Sequence, residues 1–246
     1  RLLDLARRFR DVQHLMEQGN GAATINRKLS ALRVLLQEAV EWGDLGSVPA
    51  FPGHLKEPDG RERVLSQEEI EAVHGAFLAL AYEETADAFL VLVGQGLRPS
   101  ELEVLRKCHT DFRRNSLLVP FTKTSRGRTM PLFEPALGVL KRRATSPMGI
   151  AGEPLFPNTD RHRLARHFAR ARHLLGLDEA VTPYACRHTF GTTMLEEWDL
   201  VEVQTMLGHT SITTTRRYAH RNPKGLLEKA KRLSQERLST PTREKA

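Results

Sequence analysis

Between Gly46 and Arg63 the sequence interrupts two helical patterns with Pro49, Pro52, Pro58 and three glycines set among charged residues. Proline removes a backbone donor and glycine favours irregular backbone, so no helix or strand is expected to run through such a stretch. A chain divided this way is expected to form two packed units. Residues 1–46 are read as a first, helical unit and residues 47–63 as a linker, with the second unit opening just before Val64. From Thr24 to Trp42, Ile25, Leu29, Leu32, Leu35, Leu36, Ala39 and Val40 recur at helical spacing, and Thr24 is placed to cap the helix. Arg27, Lys28 and Arg33 lie among the polar positions of that pattern. After the break, Ser66 and Glu69 form a capping box, with Leu65 and Ile70 placed as the hydrophobic staple around it.

The second unit, residues 64–246, begins with helices expected from about Ser66 to Leu80 and from about Thr85 to Val93, the latter ending at Gly94. Gly96-Leu97-Arg98-Pro99 then turns the chain. Pro99 disfavours a helical Arg98 but suits the first turn of a new helix. Arg98 is thus expected just before a helix N-terminus, where free amides and the helix dipole favour an anion. Ser116 to Leu132 reads as strand, turn, strand, and carries Lys123, Arg126 and Arg128. A helix from about Arg161 to Leu175 puts Leu164, Phe168 and Leu175 on its apolar side and Arg163, Arg166, Arg170 and Arg172 elsewhere. That much arginine suits contact with a phosphate backbone, although a solvated charged face gives the same pattern. The expected class is mainly α with a small antiparallel β-sheet.

Charge points the same way, weakly. Lys plus Arg number 37 against 30 Asp plus Glu, a net charge of +7 with a sequence pI near 9.7, as expected for a partner rich in phosphate. The two cysteines, Cys108 and Cys186, have neither disulfide-framework nor zinc spacing, and they fit a reducing cytoplasm. No apolar run approaches the roughly 18–20 residues of a membrane span, so no membrane is expected as a partner.

The residues that could do chemistry fall in three short segments. GLRPSEL carries Arg98 and Glu101, YACRHTF carries Arg187 and His188, and LGHTSITTTRRYAH carries His209 and, nine residues later, Tyr218 beside Arg216 and Arg217. A tyrosine hydroxyl, with an ordinary pKa of about 10, becomes a plausible nucleophile among cations that favour the phenolate. Arginine forks can hold phosphate oxygens where other enzymes use metal ions, and no metal-ligand motif or Asp/Glu cluster accompanies these segments. Taken one at a time, each residue has a plain structural explanation: a helix-start salt bridge for Arg98, a helix cap for His209, a core aromatic for Tyr218.

Together the segments resemble the catalytic boxes of the tyrosine recombinases, the phage-integrase family, in order and spacing over about 120 residues. The resemblance implies a recombinase catalytic domain preceded by a helical core-binding domain. Residues 1–46 are short for the latter and begin at Arg1, so truncation at the N-terminus is expected. It implies site-specific breaking and rejoining of double-stranded DNA through a 3′-phosphotyrosyl intermediate, without metal, ATP or other cofactor. By the same resemblance Tyr218 is the nucleophile, and Arg98 and Arg187 hold the scissile phosphate. Glu101 orients them, His209 hydrogen-bonds the phosphate, and Lys123 is the general acid. Arg27, Lys28, Arg33, Arg126, Arg128, Arg163, Arg166 and Arg170 are the expected DNA contacts. The chain departs from the family at Tyr184, where the second box usually has histidine, a far better proton acceptor near neutrality. Leu226, Leu227, Ala230 and Leu233 recur at helical spacing after Tyr218; in the family such a tail packs on a neighbouring protomer. Implied partners are a tetramer on two DNA sites and accessory directionality proteins. Two readings stand beside this one: a type IB topoisomerase-like enzyme, or a non-catalytic helix-turn-helix DNA-binding protein, for which DLVEVQTMLGHTSITTTRRYA has the general look.

Overall fold

The computed structural model describes residues 12–50, 52–57, 63–121, 127–144 and 152–209. The chain divides into two compact units, Arg1–Arg61 and Glu62–Ala246.

In the first unit α1 (Val12–Glu17) packs on α2 (Ala22–Glu41). Ile25, Leu29, Leu32, Leu36 and Ala39 are the buried residues of the α2 stripe, recurring every three or four positions as one helix face requires. Leu35, one position off that stripe, is exposed. The helix starts earlier than its hydrophobic pattern: Gly21 is the N-cap, with no side-chain bond, and Thr24 lies inside the first turn. Residues of linker composition pack back onto this unit. Leu45 and Val48 cover Leu32 and Leu36, while Leu55 packs against Leu15, Ile25 and Leu29. Buried Asn26 holds that return segment, accepting from the Leu55 amide and donating to the Leu55 carbonyl, both at 2.9 Å.

The second unit opens with α3 (Gln67–Ala79), whose capping box joins Ser66 and Glu69 in both directions. Next comes α4 (Glu83–Gln95), the most buried helix, with Ala86, Ala88, Phe89, Val91 and Leu92 all removed from solvent. Gly94 does not end it; Gly96, left-handed at φ 59°, does. Gly94 instead lets α6 (Ala136–Ala144) approach, since a Cβ there would lie 3.0 Å from the Ala136 methyl. The short α5 (Pro99–Glu103) follows, with Pro99 in its first turn as the sequence predicts.

The sheet has three antiparallel strands in the order β1 (Thr110–Asp111), β2 (Ser116–Val119), β3 (Arg128–Pro131). Leu117 pairs with Met130, and both are buried with Val119, whereas Leu118 faces out. β1 has two residues, too few to show an alternating pattern. Then α7 (Arg161–Leu175) is capped by Asp160, which accepts from the amides of His162 and Arg163, and it ends at left-handed Gly176. It is followed by α8 (Pro183–Glu197) and α9 (Leu200–Leu207). Phe77, Phe89 and Phe168 meet edge to face at 5.2–5.8 Å, locking α3, α4 and α7 together. Among the described residues no helix is long and apolar enough to cross a membrane.

Candidate active site

The α4–α5 turn, strand β3, α8 and the end of α9 converge on one carboxylate. Glu101 is fully buried in the first turn of α5. Its Oε1 accepts from Arg98 Nη1 at 2.8 Å and from Arg128 Nη1 at 2.9 Å. Its Oε2 accepts from the Arg98 amide at 2.8 Å and Arg128 Nη2 at 3.1 Å, and lies 3.8 Å from Arg187 Nη1. Burial pushes the Glu101 carboxyl up; the hydrogen bond and charge of Arg128, the Arg98 amide and the charge of Arg187 outweigh it and bring the pKa down to about 2. Glu101 is therefore an anion across the working pH range.

Arg187 reaches the cluster from the first turns of α8. It donates to the Gly96 carbonyl at 2.7 Å and to the Leu207 carbonyl at 2.5 Å. The second contact lies at the C-terminus of α9, where unsatisfied carbonyls and the helix dipole favour a cation. His209 follows immediately on left-handed Gly208, its amide bonded to the Gln204 carbonyl at 3.1 Å. Desolvation, then the charges of Arg187, Arg98 and Arg128, hold its pKa down at about 3, so the imidazole is neutral. A neutral ring can still donate one hydrogen bond.

These placements bring Arg98, Glu101, Arg187 and His209 together from three separate sequence segments. Arg98 is the most open of the three arginines: 20% of its side chain is exposed, against 7% for Arg128 and 5% for Arg187. Arg128, expected as a DNA contact on the hairpin, is placed differently, in the buried network of Glu101. The first strand residue after a basic turn reads the same in sequence whether it faces water or a buried acid.

Tyr184 stands on the first turn of α8, one turn before Arg187, and is 56% exposed. It lines a groove of about 590 Å³ with Pro99, Ser100, Arg161, His162 and Arg172. His162 and Arg161 beside it come from the N-terminus of α7 and carry no motif that would have marked them. Elsewhere on α7, Arg166 and Arg170 are exposed, Arg170 bonded to the Tyr82 hydroxyl, while Arg163 is half-buried and donates to the Asn158 carbonyl. In the first unit Arg27 and Arg33 are exposed, and Lys28 donates to Asn20. Lys123, Arg126, Tyr218 and the helical pattern after Tyr218 lie outside the described residues. Among the described residues no group of three or more His, Cys, Asp and Glu is arranged to hold a metal ion.

The Phage integrase family model matches residues 63–224. The chain is 31% identical over 227 residues to the tyrosine recombinase XerC of Alcanivorax borkumensis, covering 84% of this chain and 71% of the relative. Against the tyrosine recombinase XerD of Pseudomonas aeruginosa it is 30% identical over 225 residues, covering 83% and 73%. Its fold is similar to that of the Tn1549 transposon integrase in complex with circular intermediate DNA (TM-score 0.70, 22% identity, 93% of this chain and 86% of that one). It is also similar to a lambda integrase dimer bound to a COC′ core site (TM-score 0.70, 20% identity, 88% and 63%). The helical unit with a small antiparallel sheet is thus the tyrosine recombinase catalytic fold. The chain belongs to the phage integrase family. It is a tyrosine recombinase, a strand-transferring enzyme of the site-specific class, and neither the topoisomerase nor the non-catalytic reading is favoured.

Proposed function

We propose that this chain breaks and rejoins double-stranded DNA with Tyr218 as nucleophile. Tyr218 attacks a scissile phosphate, forms a 3′-phosphotyrosyl bond and releases a 5′-hydroxyl. The 5′-hydroxyl of a partner strand then attacks that bond and restores the phosphodiester. Covalent storage of the bond removes any need for ATP. Arg98 and Arg187 hold the non-bridging oxygens, Glu101 sets their direction, His209 donates a hydrogen bond, and Lys123 protonates the leaving oxygen.

The observation that carries the reading is the charge of the cluster. Three guanidinium groups share one carboxylate, and His209 is held neutral beside them. The excess positive charge is preorganised before any substrate arrives, and attack on a phosphodiester builds negative charge on its non-bridging oxygens. The exposed basic residues Arg27, Arg33, Arg166 and Arg170 extend the phosphate-binding surface within their own units. Strand exchange between two sites requires four protomers, and accessory proteins would set its direction. The cytoplasm is the compartment that fits this substrate.

A nicked suicide duplex from the chain's genomic flank tests the reading, because the cleaved end diffuses away and the covalent adduct accumulates. Tyr218→Phe is expected to bind the duplex and form no adduct. Arg98→Ala is expected to slow adduct formation by about 10²–10³-fold, the scale of a lost transition-state donor. Adducts formed by Tyr218→Phe at the normal rate would falsify the nucleophile assignment. Relaxation of supercoils without junction formation would transfer the chain to the topoisomerase reading.

A further inference from the structure

We propose that Arg128 is a positioning residue of the recombination site, not a DNA contact: its guanidinium joins β3, buried Glu101 and the end of α9 into the frame that aims Arg98, Arg187 and His209. The inference rests on the reading of those three residues as phosphate ligands.

The geometry uses Arg128 on three sides. Nη1 and Nη2 face the two oxygens of Glu101 at 2.9 and 3.1 Å, a planar fork on a planar carboxylate, and Nε donates to the Met206 carbonyl at 2.5 Å. With 7% of the side chain exposed, the remaining donors have little access to a duplex. Each Glu101 oxygen that Arg128 holds is also one that Arg98 uses, through Nη1 at 2.8 Å and its backbone amide at 2.8 Å. Fixing the plane of the carboxylate therefore fixes the direction of Arg98. Arg187 approaches the same Oε2 from α8 at 3.8 Å, so an oxygen released by Arg128 would draw Arg187 or Arg98 inward, away from a phosphate.

The third side is the turn that carries His209. A Cβ on Gly208 would lie 2.9 Å from Arg128 Nη1, 3.1 Å from Cδ and 3.2 Å from Cζ. The guanidinium thus runs directly under the residue before His209 and bonds the carbonyl two residues before that glycine. Gly208 is needed twice, for its left-handed backbone at φ 64° and for the space Arg128 occupies. Lysine offers a point charge in place of a fork and cannot satisfy both carboxylate oxygens and the Met206 carbonyl in one plane.

The test uses the full chain and the suicide duplex, with the unmutated protein, Arg128→Met, Arg128→Lys and Arg98→Ala in parallel. Single-turnover adduct formation is measured at saturating protein, and duplex affinity is measured across a salt series. Both Arg128 variants are expected to keep the unmutated slope of log affinity against log salt while adduct formation falls about 10²-fold, the cost of misplacing reacting groups by an ångström. Arg128→Met is further expected to gain an acid limb in its rate–pH profile, as buried Glu101, left facing Arg98, Arg187 and neutral His209, takes up a proton at higher pH. Arg128→Lys, which keeps the charge, is expected to show a smaller one. A salt slope reduced by about one, with a near-normal rate at saturation, would mean that Arg128 contacts a phosphate and would overturn the proposal. Normal adduct rates in both variants would overturn it as well. So would loss of cooperative thermal unfolding in Arg128→Lys, which would make the residue a determinant of folding. If the unmutated protein forms no adduct, the phosphotyrosyl reading fails, and the salt slopes still decide whether Arg128 touches DNA.

Discussion

In the proposed reading Tyr184 stands where the second box usually has histidine, and its surroundings bear on what that exchange would do. An exposed phenol one helical turn from Arg187 can donate a hydrogen bond, but at neutral pH it accepts a proton far less readily than imidazole. Tyr184→His is therefore expected to speed adduct formation at pH 7, and Tyr184→Phe to slow it by about tenfold or less, the share of one neutral hydrogen bond. Single-turnover rates on the suicide duplex check both, and a Tyr184→His variant slower than Tyr184→Phe would remove the residue from the site's chemistry. Sequence marks Tyr184, Arg98, Arg187 and His209 because each sits in a short segment with fixed spacing. Arg128 has no such segment. Its burial follows from Glu101, 27 residues away, which only the folded chain brings beside it.

At the scale of elements, turns place the site more than helices do. Gly96 ends α4 in left-handed conformation, lends its carbonyl to Arg187, and leads into Leu97 and Arg98. A Cβ on it would stand 2.4 Å from Phe190 Cδ1 and 2.8 Å from Cγ. Gly96→Ala therefore combines an unfavourable backbone with overpacking against α8, together about 2–4 kcal/mol. Urea unfolding of the variant checks this, and a loss below about 1 kcal/mol would show that α8 yields at no cost. The sequence places the α4 end at Gly94, because glycine there breaks the apolar run. The structure extends it to Gln95, since Gly94 serves the close approach of α6 and not a turn. The capping box at Ser66 and the bounds of α7 were legible because their signals are local. β1 was not, since its two residues acquire strand geometry only from pairing with β2.

Across the whole molecule, the buried cluster ties stability to pH. His209 falls from an ordinary 6.5 to about 3, and Glu101 from 4.5 to about 2. Both folded values are depressed, so the unfolded chain binds more protons as pH falls and stability declines. It is complete above about pH 6.5, falls as His209 becomes protonated in the unfolded chain, and falls faster below about 4.5, where Glu101 joins it. The limiting slope is about 1.4 kcal/mol per pH unit for each group. His209→Gln is expected to flatten the limb between pH 6.5 and 4.5, seen in unfolding free energies measured by urea across that range. Parallel curves for the variant and the unmutated protein would mean that His209 is charged in the folded state.

Sequence alone determined the class, mainly helical with a small sheet, and marked three segments that resemble the family's boxes in order, because periodicity, capping and box spacing are properties of neighbouring residues. It also marked a break before residue 64, but not that Leu55 and Val48 from the apparent linker would pack back onto α2. Tertiary structure alone decided which charges meet. Arg98, Arg128 and Arg187 come from the α4–α5 turn, β3 and α8, and no local pattern states that all three turn toward one carboxylate. That convergence depends on burial, which makes an unpaired Glu101 costly and so draws the arginines to it.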